Sequence, residues 1–296
     1  MSKLKAVGPK KAETKKPKVL IFGKPGAGKT FNALDFPGCY FIDVEGGATQ
    51  SHYTDKLAAS GGVYFGPEQG SIDFDTVIEQ VQALATEKHP YKTVVIDSIS
   101  KMFNTAISVE AERLGDKNAF GADKKPAVNR MRRLINWLSR IDMNVILISH
   151  EKTEWGQDSK GNRVEIGATF DCWDKLSYEL DLVLNVIKSG PVRIAKVTKS
   201  RLIEFPDAST FPWSYADFAK LYGEDVIKKE SVQIKIATDE QINEINKLLS
   251  VVKLPDGQVD KWLSSAQVDS WSEMSTERLG KAIEHIKKTY LTTEGK

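Results

Sequence analysis

The sequence predicts an α/β fold in which a mainly parallel sheet is flanked by helices and a small helical annex follows at the C-terminal end. From Lys18 onward, short β-branched and aromatic runs alternate with longer segments of helical periodicity, which is typical of parallel βα units. Several runs are apolar at successive positions, as in a sheet covered on both faces. After Gly223 these runs stop, so we expect the sheet to be complete there.

Six runs predict the strands of this sheet. They are KVLIF at 18–22, YFIDV at 40–44, TVVID at 93–97, NVILIS at 144–149, LVLNVI at 182–187 and VRIAKVT at 192–198. The last two are separated only by KSGP and predict a hairpin that closes one edge of the sheet. Apolar side chains recur at helical spacing over 72–87 and 127–141, which predicts helices packed on the sheet.

The chain is predicted to have three parts, which are a disordered basic tail over residues 1–17, a core over 18–230 and the helical annex over 231–296. The tail is rich in lysine and has no apolar run, so we expect it to be solvated. In the annex, 238–250 and 275–290 are predicted as amphipathic helices with Thr238 and Ser275 as N-caps. A segment of roughly 60 residues is only marginally stable alone, so we expect it to dock on the core or on a partner.

Composition excludes several classes of protein. With 41% hydrophobic and 28% charged residues, the chain has the composition of a globular domain and not of a disordered protein. Its 42 basic and 40 acidic residues leave a net charge of +2, so any polyanion binding must come from local patches. Cys39 and Cys172 are the only cysteines, which excludes a disulfide scaffold. No run is long enough to span a membrane, and we expect a cytoplasmic location.

The strongest motif is GKPGAGKT at 23–30, a phosphate-binding loop that follows the first predicted strand and precedes a helix-compatible segment. Its glycines allow backbone N–H groups to face phosphates at the start of the helix. Lys29 is expected to supply charge to the β- and γ-phosphates, and the Thr30 hydroxyl to bind Mg²⁺. The predicted nucleotide-binding residues are Gly23, Lys24, Pro25, Gly26, Ala27, Gly28, Lys29 and Thr30.

Polar side chains at the ends of three other predicted strands point to the same site. Asp97 ends TVVID and is the predicted second magnesium ligand, the alternative being an N-cap of the next helix. Glu45 follows FIDV and is the candidate that activates water, with Asp43 as the second choice and a loop carboxylate without chemistry as the alternative. His150 ends VILISH and either senses the γ-phosphate or has a structural role.

Taken in order, GKPGAGKT, FIDVE, TVVIDS, VILISH and KVTKSR resemble the RecA-like ATPase core, over about residues 17–222. The resemblance implies ATP and Mg²⁺ as cofactors and a homo-oligomer, either a ring or a filament. It also implies that Glu45 activates water, that His150 senses the γ-phosphate, and that Lys199 and Arg201 reach into the neighbouring subunit's site. Alternatively, KVTKSR is an ordinary edge strand with solvated charges.

More closely, the short core, the DVEGG turn and the helical tail resemble the phage-encoded RecA-core type of single-strand annealing protein. This resemblance implies an ATPase that binds single-stranded DNA and promotes recombination or annealing in the host cytoplasm. The annex would then contact a single-strand-binding protein or another replication partner. Two alternatives stay open, a KaiC-like regulatory ATPase acting on a protein partner and a helicase-like motor subunit; a small-molecule kinase lacks an acceptor motif.

Two segments combine glycine, basic residues and aromatics, namely 115–126 and 151–170, a composition typical of single-strand binding. Basic side chains would track phosphates while Phe120 and Trp155 stack on bases; the basic set is Lys117, Lys124, Lys125, Lys152, Lys160 and Arg163. The alternative is that both are ordinary surface loops. A further group on one helical face is interpreted as solvated; it comprises Arg130, Arg133, Trp137 and Arg140.

Overall fold

The computed structural model describes residues 6, 8, 14–119 and 121–291. Within these ranges the strands are β1 (Lys18–Phe22), β2 (Cys39–Asp43), β3 (Val63–Phe65), β4 (Thr93–Asp97), β5 (Asn144–Ser149), β6 (Glu151–Gln157), β7 (Arg163–Phe170), β8 (Leu182–Ser189), β9 (Val192–Ser200) and β10 (Thr210–Pro212). The helices are α1 (Lys29–Ala33), α2 (Ser51–Ala59), α3 (Phe74–Thr86), α4 (Ile99–Leu114), α5 (Lys124–Arg140), α6 (Leu176–Glu179), α7 (Tyr215–Tyr222), α8 (Glu224–Lys228), α9 (Asp239–Val251), α10 (Gln258–Ala266) and α11 (Thr276–Ile286).

A sheet of eight strands forms the core, in the order β10-β9-β8-β1-β5-β4-β2-β3. The strands from β8 to β3 are mutually parallel, whereas β9 runs antiparallel to both β8 and β10. Helices cover both faces, with α3, α4 and α5 on one side and α1, α2 and α7 on the other. The predicted α/β fold with a mainly parallel sheet is therefore confirmed.

Strand β1 shows why the apolar runs are continuous. Leu20 and Phe22 belong to the apolar cluster under α3, α4 and α5, while Val19 and Ile21 belong to the cluster on the opposite face. Because successive side chains of a strand point to opposite faces, a strand covered on both sides buries apolar side chains at successive positions.

The edges of the sheet differ from the prediction. The hairpin of β8 and β9 forms as expected, but it does not close the sheet, because β10 pairs with β9 through Thr210, Phe211 and Pro212. At the other edge β3 adds to β2. Each of these edge strands has three residues, too few for a periodic pattern to be recognised in the sequence.

The segment 151–170 is also different from the predicted loop. It forms β6 and β7, an antiparallel hairpin that is a two-stranded sheet of its own. Asp158 stabilises the turn, since its carboxylate accepts hydrogen bonds from the backbone of Lys160 and Asn162 and from the Asn162 side chain. The hairpin follows the end of β5 after one residue, His150, and so extends from the edge of the sheet where the phosphate-binding loop lies.

The annex has an apolar core of its own, formed by α9, α10 and α11 with Ile245, Leu279 and Ile286 fully buried. Both predicted N-caps are confirmed. The Thr238 hydroxyl accepts a hydrogen bond from the backbone of Gln241, and the Ser275 hydroxyl accepts one from Arg278. Trp262 and Trp271 pack on this core, as aromatic core residues would.

The annex docks on α5 through Glu273, which is buried. The Arg133 guanidinium donates to the Glu273 carboxylate over 2.6 Å, and Arg140 donates to the Glu273 carbonyl over 2.9 Å. Trp137 is buried in the main core. The interpretation of this helix face as solvated is therefore wrong, because three of its four residues bind the annex or the core.

The predicted disordered tail falls mostly on residues 1–5, 7 and 9–13, which lie outside the described residues. Its last residues contradict the prediction. Lys16 is buried, and its ammonium donates to the Lys229 carbonyl over 2.5 Å, while the Tyr222 hydroxyl donates to the Lys15 carbonyl. Residues 15–17 are thus held against the end of the core, because two hydrogen bonds and the burial of the lysine stem offset the loss of freedom.

Cys39 and Cys172 are both buried thiols without a disulfide. Within residues 14–119 and 121–291, every helix is too short or too polar to cross a membrane. Phe120, a predicted base-stacking residue, lies outside the described residues.

Candidate nucleotide-binding site

The phosphate-binding loop connects the end of β1 to the start of α1. Gly28 is the N-cap of α1 and has φ of +85°, a conformation that disfavours any residue with a Cβ. Gly23 is needed for a different reason, since a Cβ there would lie 2.2 Å from the Val186 carbonyl oxygen of β8. The loop is therefore compressed between α1 and the neighbouring strand, and the first N–H groups of α1 have no acceptor within the helix.

Lys29 lies inside this loop. Its ammonium donates to the carbonyl of Gly23 over 2.7 Å and to that of Lys24 over 3.1 Å. Burial lowers the pKa of Lys29, although Asp97 and Glu45 oppose that effect by attracting the charged form. A positive charge and unpaired N–H groups at a helix start together make the loop suited to an anion such as a phosphate chain.

Thr30 and Asp97 form the part of the site suited to a cation. The Thr30 hydroxyl donates to the Asp97 Oδ2 atom over 2.5 Å. Burial raises the pKa of Asp97 to about 6, with Glu45 and Asp43 adding to the effect and the Thr30 hydrogen bond opposing it. Hydroxyl and carboxylate oxygens are the hard ligands that Mg²⁺ prefers, and it usually needs only one or two protein groups. These residues therefore fit the metal that a phosphate-binding loop implies.

The alternative role considered for Asp97 was an N-cap of the next helix. The N-cap of α4 is instead Ser98, whose hydroxyl accepts a hydrogen bond from the backbone of Lys101. The Asp97 carboxylate is directed to Thr30, so the N-cap alternative is wrong.

Glu45, Ser98 and His150 form a hydrogen-bonded group beside this pair. The Glu45 Oε1 atom accepts from the Ser98 hydroxyl over 2.5 Å and lies 2.5 Å from His150 Nε2. Partial burial raises the pKa of Glu45, but the hydrogen bonds from Ser98 and His150 outweigh it, so the net pKa is lowered. Within the described residues Glu45 Oε2 has no hydrogen-bond partner, which leaves that oxygen free to accept a proton.

Asp43, the second choice for activating water, accepts hydrogen bonds with both of its carboxylate oxygens. It is buried and accepts hydrogen bonds from the backbone of Glu45, Gly46 and Ala48 and from the Tyr64 hydroxyl. These four donors hold the turn that follows β2 and thereby fix the backbone that carries Glu45. Asp43 supports the site and has no oxygen left for a water molecule.

The structure thus brings together Lys29, Thr30, Glu45, Asp97 and His150, all at the carboxyl edge of the parallel strands. It does so because β5 lies between β1 and β4, and β4 lies next to β2.

Lys199 and Arg201 are not part of this group. They lie at the end of β9, where Ser200 pairs with Leu182 near the start of β8. Both residues are therefore at the amino ends of the parallel strands, opposite the carboxyl ends where the phosphate-binding loop lies. There the Lys199 ammonium donates to the Leu180 carbonyl and the Arg201 guanidinium donates to the Tyr178 carbonyl. Neither side chain reaches the phosphate-binding loop of its own chain.

Two residues of the site were missed by the sequence reasoning. Ser98 directly follows the predicted strand end, but its contact with Glu45 depends on β2 and β4 being neighbours. Arg193 is the second residue of β9, and a Cβ on Gly28 would lie 3.3 Å from its Cδ and Nε atoms. Its guanidinium is therefore beside the phosphate-binding loop. In the sequence, only the predicted hairpin after Lys188 indicated that this arginine could lie near the loop.

An aromatic cluster also lies next to the loop. Phe31 follows Thr30, is 41% exposed, and has its ring centre 6.2 Å from His52 and 6.1 Å from Tyr53. The Lys56 ammonium lies 3.7 Å from the centre of the Phe31 ring. The result is a partly exposed aromatic surface beside a phosphate site.

Replacing Asp97 with Asn is expected to stabilise the protein without nucleotide or metal by about 3 kcal/mol near pH 7.5, because the buried charge is removed. The folded protein keeps a proton on Asp97 between its ordinary pKa of 3.8 and about 6, so wild-type stability falls as the pH rises through that range. Urea unfolding in EDTA should therefore show a gap between the variant and wild type that widens with pH. Asp116→Asn, at an exposed position, is the control, and a pH-independent gap would contradict the prediction.

Comparison with solved structures gives similarities of low identity. The RadB recombinase is 15% identical with a TM-score of 0.41, covering 68% of this chain and 88% of that one. An ATPase from the type III secretion system of pathogenic bacteria is 13% identical with a TM-score of 0.37, covering 92% and 80%. Values this low carry no functional information.

No curated protein sequence matches the chain. The family model of the AAA domain matches residues 15–212, well over half of the chain and the whole of the site described above. The chain therefore belongs to the AAA domain family and is a P-loop ATPase.

Proposed function

We propose that this chain is a RecA-like, ATP- and Mg²⁺-dependent protein that assembles on single-stranded DNA and promotes annealing of complementary strands. One observation carries the proposal. His150 contacts Glu45 beside the phosphate-binding loop and is the single residue between β5 and the protruding β6–β7 hairpin. A change in the position of His150 at the nucleotide site would therefore be passed directly to the exposed hairpin.

Within the site we assign Glu45 as the general base. Its Oε1 atom is held by two donors, and the free Oε2 atom takes the proton of the attacking water. Lys29 and the N–H groups at the start of α1 bind the phosphate chain. When bound, Mg²⁺ would be held by Thr30 and Asp97 and would neutralise charge on the phosphate oxygens.

The aromatic cluster of Phe31, His52 and Tyr53 suits the adenine base, because flat rings stack on aromatic faces. Arg193, next to Gly28, suits the phosphates nearest the ribose, since a guanidinium binds phosphate oxygens in pairs. Both assignments use residues of the same chain.

The hairpin supports the DNA part of the proposal. Trp155 is 51% exposed and the Arg163 guanidinium lies 4.4 Å from the centre of its ring. An exposed aromatic ring with a stacked arginine is a sequence-independent platform for bases. Lys117, Lys124 and Lys125, near the start of α5, are also exposed. Lys152 contributes less, because Asp174 lies 3.4 Å from its ammonium.

Lys199 and Arg201 are proposed to act on the neighbouring subunit. They lie at the edge of the sheet opposite the phosphate-binding loop, so a head-to-tail assembly would bring them to the next subunit's nucleotide. Such contacts generate rings or filaments according to whether the rotation closes. ATP would then stabilise the assembly, and hydrolysis would loosen it.

Glu45→Gln is expected to keep ATP binding and to lower the rate of hydrolysis by a factor on the order of 10² to 10⁴, because Gln keeps the shape of the side chain and lacks the base. Ser98→Ala should have a smaller effect, since it removes one of two donors to Oε1. ATP titration and phosphate release measure the two quantities.

Asp43→Asn is the comparison variant for Glu45→Gln. It should lower the free energy of unfolding, because the backbone N–H groups of the turn after β2 lose acceptors. Equal hydrolysis by Glu45→Gln and wild type would exclude Glu45 as the base.

Trp155→Ala is expected to weaken single-stranded DNA binding by about 1–3 kcal/mol, because one stacking platform is lost. DNA-independent ATP hydrolysis should not change, since Trp155 is outside the site. Fluorescence anisotropy with an oligonucleotide, at several salt concentrations, measures the affinity, and energy transfer between labelled complementary strands measures annealing.

Tyr178→Ala is the matched control, because Tyr178 is 70% exposed and lies away from the hairpin. If the wild type shows no salt-sensitive DNA affinity, the annealing function is excluded. A KaiC-like role is then favoured, in which the hairpin contacts a protein. The hairpin has four acidic and three basic residues over 151–165, and this mixed charge also suits a protein surface. Unwinding of a tailed duplex would instead favour the helicase alternative.

A mixing experiment tests the contact between subunits. Glu45→Gln and Arg201→Ala are each expected to be nearly inactive. A one-to-one mixture should recover up to about a quarter of the wild-type rate, because that share of head-to-tail contacts pairs an intact base with an intact arginine. A mixture no more active than its components would show that Arg201 acts within its own chain or not at all.

A further inference from the structure

A groove runs between α10, α11 and the end of α5. It consists of two adjoining cavities of about 250 and 310 Å³, which share Ala266, Met274 and Arg278 among their lining residues. The floor of the groove is apolar and is formed by Trp262, Ala266, Val268, Met274 and Ala282. Its size is that of a site for one or two side chains and not of a site for a folded domain.

Basic side chains line the two cavities beside these apolar residues. They are Arg140, Arg278, Lys281 and His285, and the lining residues include no aspartate or glutamate. Lys281 is paired with the Glu277 carboxylate, so the two arginines supply the charge that is available to an anion. Arg140 and Arg278 donate to backbone carbonyls, those of Glu273 and Ser265. Within residues 14–119 and 121–291, neither forms an ion pair with a carboxylate.

Arg140 and Arg278 line the same cavity. Burial lowers the pKa of Arg140, the charge of Glu273 opposes that effect, and the charge of Arg278 adds to it. An anionic group bound between the two arginines would interact favourably with both charges.

We propose that this groove binds a short acidic segment of a partner protein, with a bulky apolar side chain on the floor and carboxylates at Arg140 and Arg278. The apolar floor supplies affinity by burial, and the arginines supply charge-assisted hydrogen bonds. The site lies where β5 begins, at the opposite edge of the sheet from the phosphate-binding loop. It would connect the ATPase to a second protein without blocking the nucleotide site.

A peptide fits these features better than a nucleic acid does. The exposed residues Glu277 and Glu284 lie on α11 close to the groove, and Asp260 lies on α10. A continuous chain of phosphates that left the groove would be repelled by these carboxylates, whereas a segment with two or three acidic residues need not pass them. The local charge therefore favours a short anion over a polyanion.

The test uses the full-length protein and a fluorescent synthetic peptide in which two aspartates precede leucine and phenylalanine. Fluorescence anisotropy should show saturable binding that is lost when asparagine replaces aspartate or serine replaces the apolar pair. Arg278→Ala should weaken binding by about tenfold, as expected for a charged contact in a small interface. Lys261→Ala, which removes an exposed charge of α10 outside the groove, should change it less than about twofold.

A second variant tests the apolar floor without changing charge. Ala266→Phe would fill the space shared by both cavities and should weaken peptide binding about tenfold while ATP binding is retained. The proposal is overturned if the wild type does not bind the acidic peptide, if the neutral peptide binds equally well, or if Lys261→Ala and Arg278→Ala have equal effects. It is also overturned if single-stranded DNA displaces the peptide and binds in its place. If Arg278→Ala does not fold, Lys281→Ala and Ala266→Phe replace it in the test, and peptide binding unchanged by both variants would overturn the proposal.

Discussion

Two hydrogen bonds to one oxygen atom, Oε1 of Glu45, hold the functional centre of this protein together. The donors, Ser98 and His150, follow β4 and β5, while Glu45 follows β2. The contact exists only because these three strands are parallel neighbours that end at the same edge. The adjacent Thr30–Asp97 contact adds β1 to the arrangement, so the sheet order determines which side chains meet.

The rest of the molecule is arranged around that edge. The hairpin of β6 and β7 extends from it directly after His150, whereas the annex groove and the Lys199 and Arg201 pair lie at the opposite edge. In the proposals made above, the carboxyl ends of the parallel strands bind nucleotide and DNA, and the opposite ends contact neighbouring subunits and a partner protein. This separation would allow these ligands to bind at once without competing for the same surface.

The sequence predicts the parts of this structure that depend on local patterns. Six of the eight strands of the core sheet, the caps at Thr238 and Ser275 and the phosphate-binding loop all follow from spacing within a few residues. What it could not predict depends on pairing between distant residues. Glu273 and Arg133 are 140 positions apart, and a charged helix face looks solvated until its partner is known. The hairpin over 151–170 was missed because glycine, aspartate and lysine obscure its alternation.

Gly23 carries a constraint that is separate from phosphate binding. The absence of a side chain there lets β8 approach β1, since the Val186 carbonyl occupies the space that a methyl group would need. Phosphate binding and strand packing therefore both require glycine at this position. An evolutionary exchange at this residue would have to move a neighbouring strand, so the glycine would be retained even in a descendant that had stopped using nucleotides.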